Sequence, residues 1–135
     1  MFKVRAKLGS VEVGDDLPTK MIGVLNLSPE SFYSGSVVRT ASEAVRRAKE
    51  LVAGGASILD LGAMGTGPTS SPVSLRVEMS RLIPAVRALS RELDVPISID
   101  TQRAKVAEEA ITAGAEIVND ISGLKGDSRM AETIR

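Results

Sequence analysis

The run Met21-Ile-Gly-Val-Leu-Asn-Leu27 is almost continuously apolar, as a β-strand that is covered on both faces should be. Three further runs of the same kind follow along the chain, and each contains a polar residue near its end. They are Ser57-Ile-Leu-Asp-Leu-Gly62, Pro96-Ile-Ser-Ile-Asp100 and Glu116-Ile-Val-Asn-Asp-Ile121. We therefore predict four strands in one buried sheet.

The segments between these strands are predicted to be helical, because apolar residues recur in them at intervals of three and four. Thr40 and Glu43 have the spacing of a capping box at the start of the first helix, and Gly54-Gly55 should end that helix. Pro84 lies within the apolar stripe of the second helix, so we expect that helix to bend or divide near residue 80.

The ends of the chain complete this pattern. The third helix is predicted to have Thr101 as its N-cap and to end at Gly114. A fourth helix should begin near Asp127. At the other end, short alternating pieces around Gly9-Ser10 predict a β-hairpin over residues 1–20.

Strict alternation of strands and helices predicts an α/β fold with parallel strands, in which the hairpin of residues 1–20 caps a body of residues 21–135. Two closures fit, an open doubly wound sheet and a (β/α)8 barrel. No Gly-x-Gly-x-x-Gly motif follows the first strand, so a dinucleotide-binding sheet has no direct support. A complete barrel needs about 250 residues. If the barrel is the closure, we expect either a shortened chain or half-barrels that self-associate as a homo-oligomer.

The composition excludes several kinds of chemistry. The chain has no cysteine and no histidine, which rules out disulfides, thiolate nucleophiles, Cys/His zinc sites and imidazole bases. Basic and acidic residues number 17 each and aromatic residues make up only 2%, so we expect no nucleic-acid partner. We find no apolar run long enough for a membrane span and no signal-peptide core, and therefore expect a cytoplasmic protein with no membrane partner.

Polar side chains stand where the predicted strands end, which is where a parallel barrel binds its ligands. Asn26, Asp100 and Asn119 each lie at a strand exit, and burying such groups without a partner is costly. Any one of them alone could serve a turn or a cap, but together they could pair with a heterocycle that offers adjacent donors and acceptors. Asp60 lies mid-strand, where we expect a structural, hydrogen-bonded role, and Asp120 has no clear role.

Four stretches in this order resemble dihydropteroate synthase and its pterin-binding relatives. They are Gly23-Val-Leu-Asn-Leu-Ser-Pro-Glu-Ser-Phe32, Leu59-Asp-Leu-Gly62 with Thr66 and Pro68, Ile97-Ser-Ile-Asp-Thr101 and Ile117-Val-Asn-Asp-Ile121. The resemblance covers about residues 21–124 and implies a partial (β/α)8 TIM barrel with about four βα units after the hairpin. It further implies a transferase of folate biosynthesis, which joins a dihydropterin hydroxymethyl pyrophosphate to p-aminobenzoate or a related aromatic amine and releases pyrophosphate.

The resemblance also implies roles for individual residues. Asn26 and Thr66 would be catalytic: Asn26 would contact Mg²⁺ and the pyrophosphate, and Thr66 would bind the pyrophosphate from the second loop. The residues implied to bind the substrates are Asp100, Asn119 and Ile121 for the pterin ring and Phe32 for the region of the acceptor amine.

Both loops depart from the family pattern. Ser34 stands where the first loop normally carries an Asp, and Met64 and Gly67 stand where the second normally carries a Glu and an Arg. Arg76 and Arg103 are the candidates to supply the lost positive charge. The Asp, Lys and Arg-x-His of the family's later strands have no counterpart here, so we expect weak or no turnover from this chain alone.

Other functions stay open at this point. A methyltetrahydrofolate-dependent methyltransferase on the same barrel predicts an Asn after Asp60, where Leu61-Gly62 stand. A non-catalytic pterin-binding module fits the loop charges lost at Ser34 and Gly67. An unrelated phosphate-binding barrel is the last alternative.

Overall fold

The computed structural model describes residues 3–28, 40–64 and 73–135. A two-stranded antiparallel hairpin comes first, and parallel strands that alternate with helices follow it. No helix among the described residues is long and apolar enough to cross a membrane. The elements are β1 (Arg5–Leu8), β2 (Val11–Gly14), β3 (Met21–Asn26), α1 (Ala41–Ala53), β4 (Ala56–Gly62), α2 (Leu75–Glu92), β5 (Ile97–Asp100), α3 (Ala104–Ala113), β6 (Ile117–Asn119) and α4 (Met130–Thr133).

The parallel strands lie in the order of the chain, β3-β4-β5-β6. A doubly wound sheet would instead reverse its strand order at a switch point and carry helices on both faces. Here α1 packs against α2 and α2 packs against α3, so successive crossover helices are neighbours on one face of the sheet. This arrangement is the wall of a (β/α)8 barrel, which confirms the partial barrel and decides between the two closures.

The two faces of the sheet differ in burial because successive strand residues point to opposite sides. On the face opposite the helices, Ile22 and Val24 of β3 are 53% and 52% exposed. That face would line the inside of a closed barrel, and at β3 it is open to solvent. The strand residues that face the helices form the core and include Leu25, Leu59, Leu61, Ile97 and Ile99.

The predicted start of α1 and the predicted C-terminal ends of α1 and α3 are confirmed. The Thr40 hydroxyl oxygen accepts a hydrogen bond from the Glu43 backbone N–H at 3.1 Å, and Gly54 is the C-cap of α1. Gly114 ends α3 with φ +116°, a left-handed conformation that glycine adopts without strain.

We expected α2 to bend or divide near residue 80, and it does not divide, because it runs unbroken from Leu75 to Glu92 with Pro84 inside it. The bend stays a prediction. Pro84 is on the exposed side of the helix. The Ser80 carbonyl, which loses its helical partner at a proline, is also on the exposed side, where water can replace that partner. Leu82 and Val86, on either side of Pro84, are both fully buried and hold the two halves in one helix against the sheet.

The prediction that Thr101 caps α3 is also wrong. The chain takes a further bend after Thr101, so the helix begins only at Ala104. The backbone N–H of Ala104 donates to Asp127 Oδ2 at 2.9 Å, so a side chain from beyond β6 caps this helix. Asp127 was predicted to lie near the start of the fourth helix, but α4 begins at Met130 and is only four residues long.

The hairpin is confirmed, with Leu8 paired to Val11 across the Gly9-Ser10 turn. A Cβ placed on Gly9 would lie 3.0 Å from Pro96 Cβ and 2.8 Å from Glu116 Oε2. The turn therefore lies against the residues that precede β5 and β6. This position at the N-terminal ends of the strands is compatible with the expected cap, which stays a prediction.

Candidate functional site

The last residues of four strands form one row across the sheet. Asn26 is the register partner of Gly62, Gly62 of Asp100, and Asp100 of Asn119. Paired residues of parallel strands point to the same face, which here is the face opposite the helices. The structure thus brings Asn26, Asp100 and Asn119 to one rim, as the sequence predicted. Gly62 has no side chain, which leaves space in the row between Asn26 and Asp100.

A fourth polar side chain, Asp60, joins this row from β4. It lies two residues before Gly62, so it points to the same face. The Asn119 side-chain amide donates from Nδ2 to Asp60 Oδ2 at 3.2 Å. The other carboxyl oxygen, Oδ1, is buried and has no hydrogen-bond partner among the described residues. Asp60 is therefore hydrogen-bonded, as predicted, but one of its oxygens is left to be satisfied from within the site.

The surroundings of Asp100 make its carboxyl harder to ionise than that of a free aspartate. Burial raises the pKa of the Asp100 carboxyl to about 6, and the negative charges of Asp60, Glu78 and Asp120 add to the effect. A ligand that brings hydrogen-bond donors or positive charge to this carboxyl would lower its pKa again, because such groups stabilise the ionised form. Perturbed acids of this kind are typical of functional sites.

A buried ion pair supports the strand end that carries Asp100. Glu78 in the first turn of α2 is fully buried, with Oε1 accepting from the Thr101 hydroxyl at 2.6 Å and Oε2 from Arg103 Nη1 at 2.7 Å. Arg103 also donates from Nη2 to the Val73 carbonyl at 2.7 Å. These bonds fix the segment just after Asp100 against α2. They also commit Arg103 to a structural partner, so it is a poor replacement for the loop Arg.

The turn after β6 shows what Asp120 does. Its Oδ1 accepts from the Ser122 backbone N–H at 2.8 Å and its Oδ2 from that of Leu124 at 3.0 Å. Desolvation acts to raise the pKa of Asp120, but hydrogen bonds from the Ser122 side chain and from these two backbone N–H groups outweigh it and hold the pKa below its usual value. Ile121, predicted as part of a longer strand, is instead in this turn with 62% of its surface exposed, because β6 ends at Asn119.

Comparison with known proteins shows the family to which this chain belongs. Residues 22–135 match the family described as pterin binding enzyme. The chain belongs to the pterin-binding enzyme family. Over 126 residues it is 43% identical to a dihydropteroate synthase of Clostridium beijerinckii, covering 93% of this chain and 47% of that relative. This pterin-binding chain spans less than half the length of the curated relatives it matches.

Solved structures agree with this pterin-binding assignment. The dihydropteroate synthase of Yersinia pestis, solved with a sulfonamide drug complex, superposes with a TM-score of 0.86 at 31% identity, over 96% of this chain and 48% of that one. The enzyme of Burkholderia cenocepacia, complexed with 7,8-dihydropteroate, gives a TM-score of 0.79 at 35% identity, over 99% and 44%. The partial barrel therefore has the fold of the matching part of these two dihydropteroate synthases.

Two of the site residues implied by the sequence, Phe32 and Thr66, lie outside the described residues. Ser34 and Gly67, where the two loops differ from the family pattern, also lie outside the described residues. Met64 is described and lies two residues after the end of β4. Their roles stay predictions.

Sequence reasoning missed two functional candidates. Asp60 was given a structural role alone, although its spacing of two from Gly62 places it on the face of the row. Glu78 was not singled out, although it falls three residues after Leu75 and four before Leu82, within the apolar stripe of α2. A carboxylate at such a position must be buried with a partner, and that spacing was the available signal.

Proposed function

We propose that this chain supplies the pterin-binding rim of a transferase of the dihydropteroate synthase type. The enzyme would join a dihydropterin hydroxymethyl pyrophosphate to p-aminobenzoate or a related aromatic amine and release pyrophosphate. The observation that carries the proposal is the row Asn26, Gly62, Asp100 and Asn119 across four adjacent strand ends. The names of the relatives support it, since they are dihydropteroate synthases.

The pterin ring suits the polar side chains of the row. The pyrimidine part of a pterin offers neighbouring N–H donors, which a single carboxylate can accept as a pair. Asp100 is the carboxylate placed for this contact, and Asn119 beside it has an amide that can both donate and accept. Hydrogen bonds to a charged acceptor contribute about 1.5–3 kcal/mol each. Asp100 and Asn119 are thus the proposed pterin anchors, with Ile121 beside them as an apolar contact.

The reaction needs little acid–base help from the protein. The amine nitrogen attacks the methylene carbon, a C–N bond forms, and the C–O bond to pyrophosphate breaks with its electron pair leaving on the pyrophosphate. The amine loses one proton, which the released pyrophosphate or water can take. A chain without histidine or cysteine can assist this reaction by orienting the pterin so that its methylene carbon faces the amine.

A magnesium ion fits the oxygen chemistry of the rim. The described residues contain no cluster of three carboxylate ligands that could hold a metal by themselves. Mg²⁺ is commonly bound through one or two protein oxygens together with substrate phosphates, and the Asn26 amide at the end of β3 offers one such oxygen. We therefore propose that Asn26 holds Mg²⁺ together with the pyrophosphate. The chemistry that Mg²⁺ supplies when bound is neutralisation of charge on the leaving group.

A non-catalytic pterin-binding module is the second candidate. It is favoured by the second loop, where Gly67 and Met64 stand in place of an Arg and a Glu, since an Arg that binds an anion is not replaced by Gly. The pairing of Arg103 with Glu78 adds to this argument, because it removes one possible substitute. Binding of the pterin without release of pyrophosphate would identify such a module.

A chimera tests the proposal. The matching half of the Clostridium beijerinckii relative would be replaced by this chain, and pyrophosphate release would be measured with and without p-aminobenzoate. We expect amine-dependent release that falls at least about 100-fold in D100A and N119A, which together remove several charge-assisted hydrogen bonds. The exposed D94N substitution is the matched control. Pterin binding without amine-dependent release would favour the non-catalytic module, and absence of both would contradict the proposal.

Two further features belong to the same proposal. The apolar residues on the open face of β3 support association with a second half-barrel, as in the expected homo-oligomer. A cytoplasmic location is proposed together with the function.

A further inference from the structure

Asp60 is a half-buried acid that the proposed mechanism leaves unused. It joins β4 to β6 across the intervening strand β5, because its Oδ2 accepts from Asn119 Nδ2 at 3.2 Å. Its register partner on β5 is Ser98, a small residue that leaves room for this contact over the strand. Within the part of the chain that the structure describes, its Oδ1 is buried without a partner, although a buried carboxyl oxygen normally has one.

We propose that Asp60 is a positioning residue of the pterin site, which fixes the orientation of the Asn119 amide and sets the charge of the rim around Asp100. The inference deepens the proposed function and rests on it for the identity of the ligand. Asp60 itself acts through Asn119 and Asp100.

Asp60 can fix the orientation of the Asn119 side chain because of the chemistry of the amide. The oxygen and nitrogen of an Asn side chain are nearly equal in shape, so its hydrogen-bond partners decide which atom points where. An ionised carboxylate can only accept, so Asp60 selects the rotamer in which Asn119 turns Nδ2 toward it. The Asn119 carbonyl oxygen is then presented as an acceptor to a ligand that lies on the rim. A ligand with a donor at that position is favoured over one with an acceptor there.

The charge of Asp60 also affects the neighbouring carboxyl of Asp100. The groups that raise its pKa above the usual value are, after burial itself, Asp60 on β4, Glu78 on α2 and Asp120 after β6. The Glu78 charge is offset by its ion pair with Arg103, and Asp120 is held by backbone N–H groups, whereas the Asn119 amide is the one hydrogen-bond partner of Asp60 among residues 3–28, 40–64 and 73–135. Asp60 is thus the neighbouring acid with least compensation. A ligand that brings N–H donors restores the balance at the rim.

The two roles can be separated by two variants. In D60N the new amide can still accept from Asn119 through its oxygen but carries no charge. In D60A both the acceptor and the charge are lost. The D94N substitution, at an exposed acid, is the control for loss of one negative charge elsewhere.

The test is nuclear magnetic resonance of the 135-residue chain without ligand, following the Asn119 side-chain NH₂ signals and the pH titration of the Asp100 carboxyl carbon. We expect D60N to lower the Asp100 midpoint from about 6 while leaving the Asn119 signals in place. We expect D60A to lower the midpoint and also to shift the two Asn119 signals toward those of a solvent-exposed Asn side chain, because the hydrogen bond from Nδ2 is lost. D94N should change neither.

Unchanged Asn119 signals in D60A, or an unchanged Asp100 midpoint in both variants, would overturn the inference. Backbone spectra that stay dispersed show that each variant is folded, and D60N, which keeps the shape of the side chain, decides the charge role if D60A does not fold. A titration with 6-hydroxymethylpterin then tests the ligand, with at least a tenfold weaker Kd expected in D60A. No binding to the unsubstituted chain would count against the proposed function, while the ligand-free signals still decide the role of Asp60.

Discussion

Asp100 is a destabilising residue in the folded chain at neutral pH, because its pKa of about 6 lies above the usual 3.8. The folded state therefore holds the proton more tightly than the unfolded state, so stability falls as the pH rises from about 4 to about 6. D100N should be more stable than the parent by about 1–2 kcal/mol at pH 7, a value discounted for the partial exposure of the site. The difference should close as the pH falls toward 4.

Urea unfolding of D100N and the parent at several pH values measures this difference, with D94N as the control. A gap that is independent of pH would contradict the argument, because only the titration of Asp100 produces the predicted closure. Greater stability in D100N together with loss of pterin binding would mark Asp100 as a residue kept for function.

The Glu78–Arg103 pair is expected to be essential for stability, since Glu78 is fully buried and Arg103 is its charged partner at 2.7 Å. R103M keeps the aliphatic stem but leaves the carboxylate without its cation, and it should lower the free energy of unfolding by about 3 kcal/mol. The matched control is K49M, which breaks the exposed Lys49–Glu92 pair at 2.9 Å and should cost at most about 1 kcal/mol. Equal effects in urea unfolding would show that burial of Glu78 does not matter.

The sequence predicted which polar residues end neighbouring strands but not the contacts that these residues make with one another. Asn26, Asp100 and Asn119 could be found because each ends an apolar run, and parallel strands bring such ends together. The Asn119–Asp60 bond joins residues 59 positions apart across a strand, and no local pattern encodes it. The cap of α3 by Asp127 is equally long-range, which is why Thr101 was the wrong local choice.

Among the elements, the junction of α2 and α3 depends on Gly114. Its φ is +116°, and a Cβ there would lie 2.6 Å from Ser90 Cβ, on the helix that packs beside α3. G114A should therefore cost about 2–3 kcal/mol, from backbone strain and from displacement of α2. Ser90 also donates to the Ala113 carbonyl at 3.0 Å, a bond that the displacement would break.

Gly123 provides the comparison for this element. Its φ is +62°, but no atom of a described residue other than its chain neighbours lies within 4 Å of the place where a Cβ would stand. G123A should thus cost only the intrinsic strain of the left-handed conformation, about 1–2 kcal/mol. Thermal unfolding of both variants measures the difference, and a G123A effect as large as that of G114A would show that the contact with Ser90 is unimportant.

Most element boundaries followed from local sequence, and the exceptions have physical causes. The glycine ends of α1 and α3 depend on backbone conformation alone, so the sequence predicted them. Pro84 failed to divide α2 because buried neighbours on both sides hold the helix, and packing of that kind is not visible in a local pattern. The last strand ended early because Asp120 starts a turn with its own side chain.

For the whole molecule, the open face of the sheet is the feature with the clearest consequence. Ile22 and Val24 are about half exposed there, and β3 and β6 form the two edges of the four-stranded sheet. Exposed apolar residues beside unpaired strand edges favour pairing with another chain. We predict that the 135-residue chain self-associates through this face.

Sedimentation across a range of concentrations checks the prediction with the double variant I22K/V24K, which should remain monomeric. I111K is the matched control, because Ile111 is 41% exposed on the outer helix α3. A monomer at all concentrations, or dimers that survive I22K/V24K, would be incompatible with association through the inner face.

The central claim is that four parallel strands deliver Asp100 and Asn119 to one rim, where they hold a pterin. A crystal structure of the chain with 6-hydroxymethylpterin tests it most directly. We expect donors and acceptors on the edge of the ring to lie about 2.7–3.2 Å from the Asp100 carboxylate and the Asn119 amide, on the face opposite the helices. A pterin bound elsewhere, such as the groove between α1 and α2, with the rim untouched, would contradict it.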